Sequence, residues 1–271
     1  GTSTYIYSTA AQEFWGDINF KDKNWHHGEV DIKPMIIDAL NDMHSKDIFL
    51  NTSLTDLKVT YMNFGWEIPG TFDAAVRVKN ISLKAVPYIQ PSEPKNIQLL
   101  KDQDFDNGYA LRGPMVSRDT VDMLLIKPGR KPAWLFSQWN SDYVLQAEDL
   151  EIISAGSYAF TNEGNRLSRI RSNDGVKTLS VYAAGHKEWS DGVRQPGETW
   201  PHMLLSQPIN NCPTLDRLDA LNFKIKTRVK NWTLYFEDEY EQNLHAARYR
   251  TNLVVKNINP QSPDYNEYFW F

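Results

Sequence analysis

The chain has 271 residues, enough for one large domain or two modest ones whose core needs no disulfide staples, and its single cysteine, Cys212, has no internal partner. Hydrophobic residues at 41% and charged residues at 23% exclude an intrinsically disordered chain, and apolar runs as short as Met203-Leu204-Leu205 exclude a membrane-spanning helix. With 29 basic against 34 acidic residues and a net charge of −5, bulk charge gives no footprint for nucleic acid, so any polyanion site must be local.

The chain opens Gly1-Thr2-Ser3-Thr4-Tyr5, with no Met and no apolar signal core. This reads as a start left by processing or by cloning and is compatible with export, and a secreted, periplasmic or cell-surface protein is the expectation. Asp17 to Phe20 and Gly28 to Ile32 are short strand candidates. Pro34 then opens a helical pattern in which Ile36, Ile37, Leu40, Met43 and His44 recur at three-to-four spacing. It predicts one amphipathic helix over 34–46, and no other window predicts a helix longer than about three turns.

Leu57 to Phe64 and Phe72 to Ala85 alternate as two long antiparallel strands on either side of the break Ile68-Pro69-Gly70-Thr71. Residues 87–96 hold three prolines and read as a linker or crossover. Strand-like runs follow at 121–126, 134–139, 150–153, 178–184, 221–229, 232–236 and 246–256, separated by turn residues. The expected class is all-β, an antiparallel sandwich with one short helix.

Aromatic residues are abundant: 9 Trp, 13 Tyr and 12 Phe make up 13% of the chain. An indole offers a rigid face for the apolar side of a pyranose while neighbouring polar groups read its hydroxyls. Most individual tryptophans are still expected in the core.

The stretch from Gly65 to Ala85, with its Phe72-Asp73-Ala74-Ala75-Val76-Arg77-Val78-Lys79 strand, resembles the closing strands of galactose-binding-like jelly rolls in secreted carbohydrate-active proteins. The region after residue 96 resembles a concanavalin-type lectin and glucanase sandwich in strand density and Trp placement. These resemblances imply two sandwich regions, a jelly-roll-like 1–88 and a concanavalin-like 89–271. They also imply an exported protein that handles polysaccharide or oligosaccharide, either glycoside hydrolase-like or glycan-binding. Glu29-Val30-Asp31-Ile32 is similar to the E-x-D-x-x-E strand of laminarinase-type glycosidases, but Pro34 stands where the acid/base Glu belongs. Glu29 and Asp31 therefore read as solvated strand acids, with Asp31 capping the helix.

The densest chemistry is His186-Lys187-Glu188-Trp189 followed by Glu198-Thr199-Trp200-Pro201-His202. If the strand before Gly185 stays extended, His186 and Glu188 project together, and Glu198, Trp200 and His202 share a period of two. Glu188 and Glu198 are the carboxylates expected to act if the protein hydrolyses glycosides, because neighbouring indoles favour a protonated carboxyl. Trp189, Trp200 and Trp270 are the expected sugar platforms, lined by His186, His202 and Gln207.

A third cluster, His245 to Asn252, places Arg248 and Arg250 on one strand face, with His245 and Tyr249 on the other. A guanidinium clamp for a uronate carboxylate beside a proton-abstracting Tyr or His suggests the alternative of a polysaccharide lyase acting on an anionic glycan. Asn222, Lys224, Lys226, Arg228 and Lys230 alternate in the same way and read as a solvated outer sheet face. His186, His202 and His245 have no metal-ligand spacing. No metal and no cofactor are expected beyond a structural Ca²⁺ that loop aspartates would allow. A non-catalytic carbohydrate-binding or structural surface module is the remaining alternative, and neither nucleic acid nor a membrane span is expected.

Overall fold

A computed structural model describes residues 4–6, 23–88, 96–113 and 119–271 of the chain. The strand reading at Asp17 to Phe20 and most of the proline-rich 87–96 segment lie outside the described residues. Two packed eight-stranded sheets carry the fold.

Sheet A comprises β1 (Thr4–Ile6), β3 (Leu57–Glu67), β6 (Tyr109–Arg112), β7 (Thr120–Leu124), β8 (Trp134–Ser137), β13 (His202–Pro208), β15 (Arg248–Asn257) and β16 (Tyr268–Trp270). Its order is β1-β16-β15-β3-β13-β8-β6-β7. Sheet B comprises β2 (His26–Asp31), β4 (Phe72–Pro87), β5 (Ile97–Gln98), β9 (Leu150–Ser154), β10 (Ser157–Thr161), β11 (Asn165–Arg171), β12 (Lys177–Ala184) and β14 (Leu218–Leu234). Its order is β2-β14-β4-β12-β11-β10-β9, with β5 on β4. Pairing is antiparallel except for β1 with β16 and β6 with β8.

The all-β sandwich expected from the alternating runs is what forms, with two differences in connectivity. The long strands β3 and β4 do not pair with each other: β3 lies between β15 and β13 in one sheet, and β4 lies between β14 and β12 in the other. The chain changes sheet at Ile68-Pro69-Gly70-Thr71 instead of folding back as a hairpin. The runs at 221–229 and 232–236 join into one strand, β14, whose pairing with β4 shifts register three times. Because β3 and β4 each bond to strands from beyond residue 89, the segments before and after residue 88 share both sheets.

The helix expected over 34–46 is α1 (Lys33–Ser45), with Pro34 in its first turn and Ile36, Ala39, Leu40 and Met43 buried. Asp31 works one residue outside the cap: its Oδ1 accepts the Lys33 N–H at 3.0 Å and the Leu221 N–H at 2.8 Å, tying the helix start to β14. Among the described residues, the remaining α-helices are single turns.

Aromatic rings bridge the sheets. Phe64 of β3 packs edge-on against Trp134 (5.4 Å) and Phe105 (6.2 Å). The Trp66 indole N–H donates across the core to the Val181 carbonyl at 3.3 Å. Two buried phenols meet between β6 and β10: Tyr158 donates to the Phe105 carbonyl at 2.8 Å, so Tyr109 donates to Tyr158 at 2.7 Å. Burial pushes both hydroxyls above their ordinary pKa, so they stay protonated as these bonds require.

Phe64 is fully buried with two edge-on ring partners, so Phe64→Ala should cost about 3–5 kcal/mol through lost transfer energy and the cavity it leaves. Urea unfolding of the two proteins measures this, with the m-value unchanged.

Candidate functional site

The sheet-changing segment Ile68–Thr71 gathers the loops that carry the candidate chemistry. Ile68 N–H donates to the Pro201 carbonyl at 2.9 Å, and the Ile68 carbonyl accepts the Trp189 indole N–H at 3.4 Å. Thr71 exchanges bonds with Tyr235 through its hydroxyl and its carbonyl. Gly185 begins the single turn α2 (Gly185–Glu188) directly against this corner: a Cβ there would lie 2.3 Å from the Phe72 carbonyl oxygen and 2.5 Å from that of Gly70. Only glycine permits that approach.

The turn at Gly185 separates two side chains that an extended strand would align. In a helical turn, residues two apart diverge by about 200°, so His186 and Glu188 face different partners. His186 points to Asp73: its Nδ1–H donates to Asp73 Oδ1 at 2.6 Å while the ring lies 4.6 Å from that of Tyr235. Asp73 also accepts the Tyr182 hydroxyl at 3.1 Å, and burial together with the Asp73 charge pushes that phenol up to about 12.

Glu188 faces the other way, into a cleft of about 360 Å³ lined by Asn140, Asp142, Glu188, Trp189, Glu198, Thr199 and Pro201. Its carboxylate accepts the Ser141 hydroxyl and, at 3.0 Å, the Asp142 N–H. Ser141 is held in turn by Asn165, which is buried and donates to its Oγ at 2.9 Å. Burial pushes the Glu188 carboxyl above the usual carboxylate range, against the pull of these two hydrogen bonds. Glu198 reaches the cleft from an exposed loop, where its Oε2 accepts the Gln195 N–H at 2.7 Å. Asn140 closes the floor by donating to the Trp200 carbonyl at 3.2 Å.

The structure thus brings Glu188, Glu198 and Trp189 to one cleft and sends the other candidates elsewhere. Trp200 is not an open platform, because its ring stacks on His202 (5.6 Å, 26°) and lies under the Arg194 guanidinium (4.9 Å). His202 sits between Trp200 and Trp139 on the outer side of sheet A. Burial pushes its imidazole pKa down, while the facing Glu67 carboxylate pulls the other way.

Gln207 points inward and holds the Lys101 backbone with both ends of its amide. His245 is buried at the end of α3 (Gln242–His245). Its Nδ1 accepts the Glu241 N–H, which leaves Nε2–H to donate to the Arg194 carbonyl at 2.8 Å. It is therefore not on a strand face with Tyr249. Arg248 is exposed on β15, and it is Arg250 that pairs with Glu67, at 3.2 Å. Trp270 lies opposite Val254, which lies opposite Tyr61. That is six residues along β3 from the Glu67–His202 pair, about 20 Å away.

The residue that holds the site together escaped the motif reading. Arg194 is buried, with 6% of its surface exposed, and pairs with no carboxylate among the described residues. Its guanidinium donates to the carbonyls of Pro69 (3.1 Å), Glu198 (2.8 Å) and Leu244 (2.8 Å). One side chain so fastens the sheet-changing corner, the Glu198 loop and α3. Among the described residues, no group of three or more His, Cys, Asp or Glu side chains converges to hold a metal ion, and His186, His202 and His245 are committed separately. No family model, no curated protein and no solved structure matches this chain.

Two outcomes follow from this geometry. Arg194→Met strands three carbonyls at the corner and should lower stability by about 3 kcal/mol or more, read by denaturant unfolding, with faster amide exchange across 194–200. The raised Glu188 pKa means the folded state binds its proton more tightly than the unfolded chain does. Its contribution is therefore fully present below the ordinary glutamate value and is lost as pH rises through the higher folded value. The difference in melting temperature between the native protein and Glu188→Gln, followed across the acid range, should change in that window and stay flat above it.

Proposed function

We propose that this sandwich is a saccharide-binding protein whose site is the cleft between the 140–142 turn, α2 and the 198–201 loop. One observation carries the reading: Glu188 and Glu198 line the same cleft as the Trp189 indole. Carboxylates and the Asn140 amide suit the hydroxyls of a sugar, and an indole edge suits its apolar face. The volume falls within the span of small-ligand sites, about 300–1,000 Å³. A polysaccharide-handling role would place the protein outside the cytoplasm, as a secreted, periplasmic or surface component.

A glycoside hydrolase is the second reading, favoured by the shared cleft and by the burial that makes Glu188 the easier of the usual carboxyls to keep protonated. Glu188 would then donate its proton to the departing glycosidic oxygen, and Glu198 would activate water or attack the anomeric carbon. Which of the two Glu198 does depends on the separation of the carboxyl groups on a bound sugar.

A glycan array followed by calorimetry on the best oligosaccharide decides the first reading. Trp189→Ala should weaken binding by about tenfold or more, and unchanged affinity would move the site away from the cleft. Turnover of the same oligosaccharide decides the second. Glu188→Gln and Glu198→Gln should each abolish hydrolysis while binding survives, and a native protein that binds without cleaving is a binding module.

A further inference from the structure

The outer face of sheet B concentrates positive charge that the topology, and not any one strand, assembles. Register places Arg77 of β4 directly opposite Arg228 of β14, and Lys79 directly opposite Lys226. Arg77 lies opposite Ser180 on its other side. One step along, Ala75 is flanked by Asn231 and Tyr182, with Arg166 of β11 beyond Tyr182. Two like-charged pairs directly across an antiparallel ladder destabilise it, so this arrangement works against the fold.

No ion pair relieves it among the described residues. The acids stand at its margins: Glu29 pairs with Lys224 and His27, Asp73 with His186, and Asp174, held by Ser172 and the Val176 N–H, acts on Lys79 without forming an ion pair. The Arg228 Nε is buried and has no hydrogen-bond partner among the described residues. The Trp25 ring is occupied by the same cations, with Lys79 Nζ at 4.1 Å and the Arg228 guanidinium at 5.1 Å. The mutual repulsion is felt at Lys230, whose pKa is held below its ordinary value by the Arg77 charge foremost, then by burial, Arg166 and Arg228.

We propose that this face, centred on Arg77, Arg166, Arg228 and Lys230, binds the sulfate or carboxylate groups of an anionic glycan. The sugar backbone of that ligand rests on the reading of the cleft, whereas its anionic groups are required by the face alone. Guanidiniums bind such oxyanions in bidentate fashion, and a ligand that supplies them offsets the repulsion among these cations. Nucleic acid fits less well. Sequence-tolerant strand binding needs free rings on which successive bases stack, and the indole of this face is already covered by cations.

The test is affinity electrophoresis and calorimetry of the full chain with dextran sulfate, polygalacturonate, neutral dextran and an oligothymidylate. The native protein should bind dextran sulfate or polygalacturonate, whichever carries the favoured anion, with affinity that falls as salt rises, and should ignore neutral dextran. Arg77→Gln with Arg228→Gln should lose about tenfold or more and melt no lower than the native protein, since a repulsion is removed. Arg166→Gln with Lys230→Gln, both at exposed positions, should lose affinity in the same direction and stands in if the first pair does not fold. Trp189→Ala should leave the anionic polymers bound, which separates this face from the cleft. Equal binding by native and charge-depleted proteins, no binding of either anionic polymer, or a preference for oligothymidylate overturns the proposal. Loss of neutral oligosaccharide binding in Trp189→Ala alone would leave the cleft reading standing without it.

Discussion

The passage of the chain from one sheet to the other at Ile68-Pro69-Gly70-Thr71 is the constraint on which this end of the molecule depends. Two long strands meet there, each at the middle of a different sheet, so the corner is drawn into the protein and its backbone groups cannot rely on water. Several of them find partners in the protein: Ile68 bonds to Pro201 and Trp189, Pro69 to Arg194, and Thr71 to Tyr235. Pro69 has no N–H to satisfy, which makes it well suited to a position where only the carbonyl finds a partner. Trp189, Arg194 and Pro201 all belong to the one connection between β12 and β13, which also bears His186, Glu188, Glu198 and Trp200, and Tyr235 follows β14. The geometry of the candidate site is thus a by-product of satisfying a buried corner.

Local signals in the sequence were sufficient for elements and insufficient for their partners. Pro34 and the spacing of Ile36, Leu40 and Met43 placed the helix within a residue of its observed ends, and the alternation in 57–64 and 72–85 placed the two longest early strands. The Pro-Gly break between them looks the same whether the chain doubles back or crosses to the facing sheet, because the difference lies in which distant strand wins the pairing. Around the cleft, nearness in sequence went with nearness in space for Glu188, Trp189 and Glu198. It misled for Trp200, since an indole beside His202 and six residues from Arg194 becomes a sandwiched ring once the loop folds back. Arg194 itself has no motif: its value lies in three carbonyls from segments 125, 4 and 50 residues away.

The cationic face illustrates the same divide from the opposite direction. Read along β14 alone, alternate Lys and Arg residues look like ordinary solvated decoration. The charge becomes anomalous only when β4 and β11 add Arg77 and Arg166 to the same surface, and a single strand carries no information about that sum. Tyr182, which lies opposite Arg166, is joined through Asp73 to His186 by hydrogen bonds. These bonds tie the end of the cationic face to the single turn α2, whose other side chain Glu188 lines the cleft.

Arg194 is a buried cation solvated by amide dipoles, with three carbonyl oxygens standing where a carboxylate commonly would. A carbonyl does not titrate in the range where carboxylates do, and a contact shut away from water is little screened by ions. The clasp that holds the Glu198 loop against the corner is consequently indifferent to the two variables that most often loosen surface loops. Acid that neutralises the aspartates and glutamates around it, or brine that dissolves the ion pairs at the rim, leaves this fastening as it was, so the corner keeps its shape under conditions that loosen the surface around it.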